Sequence, residues 1–276
     1  MKAGTSWLFK QLEPHPDIFS TPVKEIHYFS HIHTNICFLD FNTRVWKLKS
    51  YVQWINQNSN RQDVLGNLRW FAAFLNDPID DNWFQNLFNE RNGKKYCAEY
   101  SNMICTLDDK AWQHILATSK NTKVVYTLRD PLGRLWSHTK FHSTVNKIPA
   151  ALGSWTVDEY NKYFETQDIV NHGRYSNHIS RMRRHLSDEQ LLICFFDDFR
   201  TDPLGELGKI ETFLDVSHHQ YNQKEFQKVH NPSAALEMPQ PFLEASRKYI
   251  EPELERLDTL GMKIPESWSI RMAGAT

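Results

Sequence analysis

The sequence predicts an α/β fold in which a mainly parallel sheet is flanked by helices. Two short apolar runs, 123–128 and 191–196, have no polar face and contain β-branched or aromatic residues. Runs of this kind are typical of buried parallel strands. Helical patterns alternate with them, as in α/β architectures. No repeat, low-complexity tract or Gly/Ser linker interrupts the 276 residues. We therefore predict a single domain, 1–276.

The predicted helices are the segments whose apolar residues recur with the helical period. One of them begins at Pro203, and proline suits the first turn of a helix. We expect residues 43–92, which are rich in Trp, Asn and Gln, to form helices and loops over one side of the sheet. In chain order, the predicted helices cover residues 5–12, 83–91, 108–119, 175–186, 203–214 and 242–260.

The composition is that of an ordinary soluble globular protein, with 40% hydrophobic and 24% charged residues. A formal net charge of −1 argues against bulk binding of nucleic acids, because no excess of Lys and Arg could neutralise phosphates. No apolar stretch approaches the roughly 20 residues that span a bilayer, and no signal peptide opens the chain. We expect a cytoplasmic protein; a lumenal domain without its N-terminal anchor is the alternative. The sequence indicates no oligomeric state.

The cysteines and histidines give no metal-binding pattern. Cys37, Cys97, Cys105 and Cys194 form no CxxC pair and lack zinc-like spacing. Cys194 lies in the second apolar run, where a buried free thiol is expected. A reducing compartment fits, and one disulfide stays open. An HxH at 31–33 has no third ligand in view, so we expect no metal.

The start of the chain is a candidate anion-binding loop. Lys2, Gly4, Thr5 and Ser6 lie at the beginning of the first predicted helix. Glycine permits a tight turn, and N–H groups at a helix start then face an anion. The loop is not a Walker A motif, and a capped helix beside a chance lysine explains it equally well when it is taken alone. Because ligands of open α/β sheets bind at the carboxyl ends of strands, we expect a strand upstream of Met1.

Arg129 and Ser137 form a second candidate anion site. Arg129 follows the strand 123–128, and Ser137 comes eight residues later, within or near the next helix. A guanidinium and a hydroxyl at this junction can hold a phosphate through charge-assisted hydrogen bonds. Taken alone, the motif is explained more often by an Arg129–Asp130 pair that stabilises a turn.

Together, the two motifs resemble those of the sulfotransferases that use 3′-phosphoadenosine 5′-phosphosulfate (PAPS). Segment 2–8 is similar to that family's 5′-phosphosulfate loop, K-x-G-[ST]-[ST]-x-L, and 129–137 to its 3′-phosphate motif, R-[DN]-P-x-x-R-x-x-S. The likeness continues at 196–199, 202–203, 213–214 and 264–268. It is strongest toward the branch of heparan-type and bacterial carbohydrate sulfotransferases, and it implies their P-loop-like fold.

The resemblance implies a PAPS donor and 3′-phosphoadenosine 5′-phosphate (PAP) as product. Lys2 would also neutralise the charge that grows on the bridging oxygen, so no metal is needed. Tyr175 resembles a position near the nucleotide or acceptor, and a core aromatic residue is an equally good interpretation of it. The implied donor-binding residues are Lys2, Ala3, Gly4, Thr5, Ser6, Trp7, Arg129, Ser137 and Tyr175.

A segment at 24–29 resembles the family's K-E-x-H-[FY]-F, whose glutamate acts as general base. A hydroxyl is a poor nucleophile until its proton is removed, and a positioned base typically contributes ~10²–10⁴-fold. Glu25 is the candidate base, and His27 would orient it or the acceptor. The alternatives are an exposed strand-end carboxylate for Glu25 and a structural histidine for His27.

Lys24, Tyr100 and Ser101 are the candidate acceptor-binding residues. The segment 99–101 resembles one that lines the acceptor pocket, but heparan enzymes usually carry a lysine where Tyr100 falls. Their basic C-terminal loop is not evident either, and no role is assigned to the segment 230–232. We expect sulfuryl transfer to a hydroxyl or amine of a saccharide or glycoconjugate, or alternatively of a small-molecule natural product. Two further alternatives are a P-loop ATP-dependent kinase and an inactive PAP-binding module.

Overall fold

The computed structural model describes residues 2–228 and 236–273, so the segment 230–232 lies outside the described residues. The strands are β1 (Ile18–Ser20), β2 (Tyr96–Ala98), β3 (Val124–Leu128) and β4 (Leu191–Phe195). The α-helices are α1 (Thr5–Leu12), α2 (Tyr28–His33), α3 (Phe41–Trp54), α4 (Arg61–Phe74), α5 (Asp81–Asn86), α6 (Asp109–Thr118), α7 (Pro131–Val145), α8 (Val157–Thr166), α9 (Tyr175–His185), α10 (Phe196–Thr201), α11 (Pro203–Leu214), α12 (Gln240–Thr259) and α13 (Glu266–Ala273). Short 3-10 turns cover Asn89–Arg91, Ile104–Thr106, Pro149–Ser154, Asn171–Gly173 and Gln223–Glu225.

The described strands form two parallel pairs. β3 pairs with β4 in a register that places Val124 opposite Leu191 and Leu128 opposite Phe195. β1 pairs with β2 and places Ile18 opposite Tyr96. The predicted α/β class with parallel strands is confirmed, and so are both strands predicted from apolar runs. β1 and β2, at three residues each, are too short to give a sequence pattern.

Most predicted helices are present within two residues of their expected ends, but the helix predicted over 83–91 is broken. Asp80 caps α5 by accepting from the backbone N–H of Trp83 at 2.8 Å, so the helix begins earlier than predicted. Trp70 Nε1 donates to the backbone carbonyl of Leu87 at 2.8 Å. That carbonyl is thereby diverted from a helical hydrogen bond, and the chain continues as the 3-10 turn Asn89–Arg91.

The described residues form two compact units. The first contains residues 2–5, 123–213, 223–228 and 236–273, and the second contains 6–122 and 214–222. Helix α1 begins in the first unit and continues in the second. The expectation of a single domain stays a prediction.

The core of the first unit lies among α7, α8 and α12. Glu253 on α12 caps α9, because its carboxylate accepts from the backbone N–H of Ser176 at 2.6 Å and from its hydroxyl at 3.1 Å. Trp268 on α13 donates from Nε1 to Asp197 at 3.1 Å, which joins two segments of the family likeness. The apolar core includes Leu132, Leu135, Trp136, Tyr160, Phe164, Ile169, Phe242 and Ile250.

The second unit has an aromatic core. Tyr28 stacks on Phe84 with ring centres 4.7 Å apart, and Trp70 stacks on Phe74 at 4.9 Å. Stacked and edge-on aromatic pairs add to the stabilisation that burial provides. The Trp-rich stretch supplies much of this core through α4 and α5. Its predicted helices and loops are confirmed, whereas their placement over one side of the sheet stays a prediction.

The cysteines of the described chain are free thiols, and burial raises the pKa of Cys194 to about 12. Within the described ranges, no His, Cys, Asp or Glu group of three or more could hold a metal ion. His33 instead contacts His114, with 2.8 Å between ring nitrogens. None of the helices in the described part of the chain is long and apolar enough to cross a bilayer.

Candidate active site

The opening loop of the first unit bends through two left-handed residues before α1 begins. Lys2 has a φ of 66° and Gly4 a φ of 83°. A Cβ on Gly4 would overlap the ring of Phe196, the first residue of α10, so glycine is required on steric as well as conformational grounds. Thr5 then opens α1. The loop has the tight glycine turn that places backbone N–H groups at a helix start.

Arg129 reaches this loop from the end of β3. Its Nη1 donates a hydrogen bond to the backbone carbonyl of Lys2 at 3.1 Å, across 127 residues of sequence. Its guanidinium carbon lies 5.7 Å from the centre of the Phe196 ring, so the loop and Arg129 share one aromatic support. Burial lowers the pKa of Arg129 from its usual value, and a guanidinium remains charged under such conditions. The structure thus brings the two predicted anion motifs together.

Tyr175 fixes the backbone of Arg129. Its hydroxyl donates to the carbonyl of Arg129 at 2.9 Å and lies 3.4 Å from the backbone nitrogen of the same residue. The tyrosine is buried, and burial raises its pKa to about 12. These contacts position Arg129, whereas a direct contact of Tyr175 with a nucleotide stays a prediction.

Helix α7 carries the remainder of the second motif. Asp130 caps it by accepting from two backbone N–H groups at 3.2 and 3.0 Å. Ser137 is buried two turns into the helix, and Phe141 lies one turn further along the same face. The Nζ of Lys2 is 5.0 Å from the centre of the Phe141 ring, a cation–π distance. The ammonium of Lys2 therefore lies beside the turn of α7 that follows Ser137.

Lys140 adds a positive charge that sequence reasoning missed. It follows Ser137 by one turn of α7, and its Nζ lies 5.5 Å from the centre of the Trp136 ring. Burial and the charge of Arg129 both lower the pKa of Lys140. Like charges held near one another are stabilised by an anion. The signal that could have revealed Lys140 is its spacing of three residues from Ser137.

We call Lys2, Gly4, Arg129, Ser137 and Lys140 the donor cluster. It combines two lysines, a guanidinium, a hydroxyl and the start of a helix in one unit. Of the other predicted donor-binding residues, Ala3 and Trp7 are buried, and Ser6 is partly buried within α1. The chemistry of the donor cluster suits phosphate or sulfate oxygens.

Glu25 lies in the second unit and is surrounded by hydrogen-bond donors. Lys24 Nζ donates to Oε1 at 2.6 Å, Asn102 Nδ2 donates to Oε1 at 2.8 Å, and His27 Nε2 lies 3.3 Å from Oε2. Burial raises the pKa of Glu25, but His27 and Lys24 outweigh it and set the pKa to about 2. We call these four residues the base cluster.

His27 is held in a left-handed conformation with a φ of 63°, which is uncommon for a residue other than glycine. Its backbone N–H donates to Ser101 Oγ at 2.7 Å, and its ring stacks on Phe38 with centres 4.5 Å apart. Strained backbone held by several contacts is a feature of functional sites. The ring nitrogen Nε2 is thereby aimed at Glu25.

Glu99 ties the end of β2 to the loop that carries Glu25. Its carboxylate accepts from the backbone N–H groups of Ile26 at 3.0 Å and of Ser101 at 2.8 Å. Burial raises the pKa of Glu99. The hydroxyl of Ser101 also donates to Glu99, so its hydrogen bonds hold the loop. A contact of Ser101 with an acceptor stays a prediction.

Tyr100 contacts one residue of α1 and one residue of β1. Its ring lies edge-on to Phe9 with centres 5.0 Å apart, and its hydroxyl is 3.2 Å from Ser20 Oγ. Burial raises the pKa of Tyr100. The hydroxyl is therefore a neutral hydrogen-bonding group.

Asn102 and Lys47 are two further residues that sequence reasoning missed. Asn102 follows the segment 99–101 directly, and that position was its only signal. Lys47 on α3 donates from Nζ to the backbone carbonyl of Glu25 at 2.9 Å across 22 residues. Burial lowers the pKa of Lys47, while the charges of Glu25 and Glu99 raise it. No local pattern connects Lys47 with Glu25.

The comparisons with known proteins identify a family. A model described as the sulfotransferase domain matches residues 1–240. Human heparan sulfate glucosamine 3-O-sulfotransferase 3B1 is 30% identical over 104 residues, which are 36% of this chain and 26% of that protein. Mouse bifunctional heparan sulfate N-deacetylase/N-sulfotransferase 4 is 24% identical over 234 residues, 81% of this chain and 22% of that protein. The chain spans about a quarter of the length of the curated relatives it matches.

Solved structures show the same fold. A sulfotransferase from Alicyclobacillus acidocaldarius has a TM-score of 0.65 at 20% identity, covering 97% of this chain and 95% of that one. The sulfotransferase domain from the curacin biosynthetic pathway has a TM-score of 0.58 at 15% identity, covering 96% and 95%. The P-loop-like sulfotransferase fold fits the parallel strands and the glycine turn before α1. With the family model matching residues 1–240, the chain belongs to the sulfotransferase domain family.

Proposed function

We propose that this protein transfers the sulfuryl group of PAPS to a hydroxyl or amine of a saccharide or glycoconjugate. The observation that carries the proposal is the contact between Arg129 and the Lys2 loop. A donor with one anionic group at its 5′ end and another at its 3′ end needs two anion sites that belong together. The donor cluster offers two such sites within one unit.

The residues present fit PAPS. The turn at Gly4 leaves the N–H groups at the start of α1 to face the 5′-phosphosulfate, and Lys2 adds a mobile charge there. Arg129 and Ser137 would hold the 3′-phosphate. When bound, PAPS supplies an activated sulfuryl group, whose transfer forms a bond from the acceptor atom to sulfur and breaks the bond from sulfur to the 5′-phosphate oxygen.

Lys2 would stabilise the negative charge that grows on that phosphate oxygen during transfer. Its Nζ lies 5.0 Å from the centre of the Phe141 ring, and the flexible lysine stem allows the ammonium to move toward an anion. The amides of the loop would contribute fixed dipoles. By analogy with phosphoryl transfer, positioning and charge stabilisation account for most of the catalysis.

Glu25 would remove the acceptor's proton. Asn102 contacts one oxygen of its carboxylate and His27 contacts the other, and together they fix its orientation. His27 would therefore act on Glu25 rather than directly on the reacting atoms. Replacing Glu25 with Gln should reduce transfer by roughly 10²–10⁴-fold, because positioned base catalysis contributes about that much.

A saccharide acceptor is supported by the names of the curated relatives, which refer to heparan sulfate. Aromatic side chains suit sugar faces, and α3 exposes Phe41, Trp46 and Trp54 in the second unit. Tyr100 at the position of the heparan enzymes' lysine favours an acceptor that differs from theirs.

The donor half is tested by calorimetric binding of PAP and of ATP to the purified chain. PAP should bind far more tightly, since Arg129 and Ser137 are assigned to a 3′-phosphate that ATP lacks. Equal affinity would contradict the proposal and support the kinase alternative.

The acceptor half is tested by incubating wild type and Glu25→Gln with ³⁵S-labelled PAPS and either saccharides or small phenols and alcohols. Labelled small molecules, with no labelled saccharide, would instead support the natural-product alternative.

A further inference from the structure

The carboxylate of Glu25 has hydrogen-bond donors on both oxygens. Lys24 and Asn102 occupy Oε1 at 2.6 and 2.8 Å, and His27 faces Oε2 at 3.3 Å. Charge-assisted hydrogen bonds stabilise the ionised carboxylate and so oppose its protonation. A group in this arrangement accepts a proton poorly, whereas a general base must accept one during the reaction. Departure of one donor would make Glu25 a stronger base.

The described donors differ in how firmly they are held. His27 is fixed through its backbone bond to Ser101 and its stacking on Phe38. Asn102 follows directly on the segment that Glu99 binds. His27 in particular would have to give up its stacking on Phe38 to leave Glu25.

Lys24 is the partner suited to leaving. Its ammonium is a compact charge on a flexible four-carbon stem, and its side chain keeps 21% of its surface exposed. Lys24 and Glu25 lie next to each other between β1 and α2, outside any helix or strand. A flexible ammonium can exchange one anion for another at little cost in conformational strain.

The backbone of Glu25 would stay in place without Lys24. Lys47 donates to the carbonyl of Glu25 from α3 at 2.9 Å, and Glu99 holds the next residue, Ile26, at 3.0 Å. Departure of Lys24 would therefore free a lone pair of Oε1 without releasing the residue that carries it.

We propose that Lys24 is a switchable counter-ion of Glu25, which leaves the carboxylate for a negatively charged group of the bound reactants and so frees Oε1 to accept the acceptor's proton. The inference rests on the proposed function. Lys24 thus acts through Glu25 as a positioning residue. Its displacement makes binding of the reactants increase the basicity of the Glu25 carboxylate.

The electrostatics around Glu25 support this direction of change. Burial is the largest influence on the pKa of Glu25 and raises it, whereas His27 and Lys24 lower it to about 2. Among the described residues, Lys47 donates to the carbonyl of Glu25, and the carboxylate of Glu99 acts on the charge of Lys47. Loss of Lys24 removes one lowering influence while burial and the contact with His27 remain, so the pKa of Glu25 rises.

The test follows the Glu25 carboxyl by ¹³C NMR in the full chain labelled at glutamate carboxyl carbons, with the signal identified from Glu25→Gln. In the free wild type it should not titrate above pH 4. Added PAPS, or PAP with a heparosan oligosaccharide, should move its titration upward by about 1–3 pH units, the effect expected from losing a neighbouring opposite charge. The first arm assigns the displacing charge to the donor, and the second to the acceptor's carboxylates.

The variants make the test specific. Lys24→Gln should titrate at the higher pH without ligand, and ligands should move it no further. Lys24→Arg should behave as wild type when free. Lys10→Gln, which removes an exposed Lys–Glu pair at 2.8 Å, should leave Glu25 unchanged. Thermal unfolding of each variant checks that it is folded.

Two failures are distinguishable. Absence of PAP binding by calorimetry would contradict the proposed function itself. Normal PAP binding with no ligand-induced change of the Glu25 titration in either arm would overturn the switch and leave the donor assignment standing. A Lys24→Gln variant that is folded and titrates as wild type would also overturn it.

Discussion

The hydrogen bond from Arg129 Nη1 to the backbone carbonyl of Lys2, 3.1 Å long, couples the two anion motifs of the first unit. It uses one of the five N–H donors of the guanidinium. Because the same side chain lies over Phe196, against which Gly4 packs, the loop and Arg129 are positioned together. These contacts fix the positions of Lys2, Gly4 and Arg129 relative to one another.

Replacing Arg129 with Gln should weaken PAP binding by about 10- to 100-fold. A hydrogen bond to a charged group contributes about 1.5–3 kcal/mol, and this variant also loses the bond to Lys2. Isothermal titration calorimetry with PAP measures the effect. Lys248→Gln, which removes an exposed pair with Glu165 in the same unit, is the control and should bind PAP normally. Equal affinity of both variants would remove Arg129 from the donor site.

The close approach of Gly4 to Phe196 predicts that Gly4→Ala destabilises more than Gly93→Ala. Both glycines have left-handed φ values, 83° and 79°, which cost another residue about 1–2 kcal/mol. A Cβ on Gly93 meets nothing within 4 Å, whereas one on Gly4 overlaps the Phe196 ring. Urea unfolding measures stability and calorimetry measures PAP affinity. Only Gly4→Ala should lose affinity; equal effects of the two variants would refute the steric argument.

Tyr175→Phe should destabilise the fold by about 1–3 kcal/mol and weaken PAP binding less than Arg129→Gln does. The change removes the hydroxyl that satisfies the buried backbone of Arg129. Tyr160→Phe is a matched control, because that buried hydroxyl donates to the Leu152 carbonyl. It should cost similar stability in urea unfolding but leave the PAP affinity unchanged. A Tyr175→Phe variant with unaltered PAP affinity would argue against positioning through Arg129.

Lys47→Met should lower kcat of the transfer reaction by about tenfold, since a charged hydrogen bond to the Glu25 carbonyl contributes at least about 1.5 kcal/mol. Lys47→Arg should recover part of the loss. Lys49, two residues along the same helix and exposed, supplies the control Lys49→Met. The ³⁵S transfer assay separates kcat from KM. A change in KM alone would assign Lys47 to acceptor binding instead.

Local sequence signals predicted the parts of this fold that have local causes. β3 and β4 were predictable because short runs of mostly apolar, β-branched or aromatic residues have few alternatives. The turn at Gly4 was predictable because a helix start after Lys and Gly is a local motif. β1 and β2 were not predicted, because three residues are too few to show the alternating pattern of a strand. The break after α5 escaped because Trp70, distant in sequence, takes the Leu87 carbonyl.

The candidate site divides in the same way. Lys2, Glu25, Arg129 and Ser137 belong to motifs and were predictable, although their roles stay predictions. Lys47 reaches Glu25 across 22 residues from a helix whose pattern carries no sign of function. The sequence allowed two interpretations of Tyr175, a position near the nucleotide or acceptor and a core aromatic residue. Only the structure shows that its hydroxyl donates to the backbone carbonyl of Arg129.

Three buried histidines of the first unit predict a loss of stability in mild acid. Burial is the main cause that lowers the pKa of His138 to about 2 and of His178 to about 3, and it lowers that of His172 as well. Their folded forms stay neutral below pH 6.5, where the unfolded chain takes up protons. Stability is therefore fully present above pH 6.5 and falls as the pH decreases, by up to about 1.4 kcal/mol per pH unit for each histidine.

Urea unfolding at pH 7.5, 6.5 and 5.5 measures this dependence, in a range where exposed carboxylates change little. His178→Gln should reduce the slope, because one of the buried groups no longer binds a proton on unfolding. His218→Gln, at an exposed position of the second unit, should retain the wild-type slope. A free energy of unfolding that is constant from pH 7.5 to 5.5 would contradict burial of these rings as neutral groups.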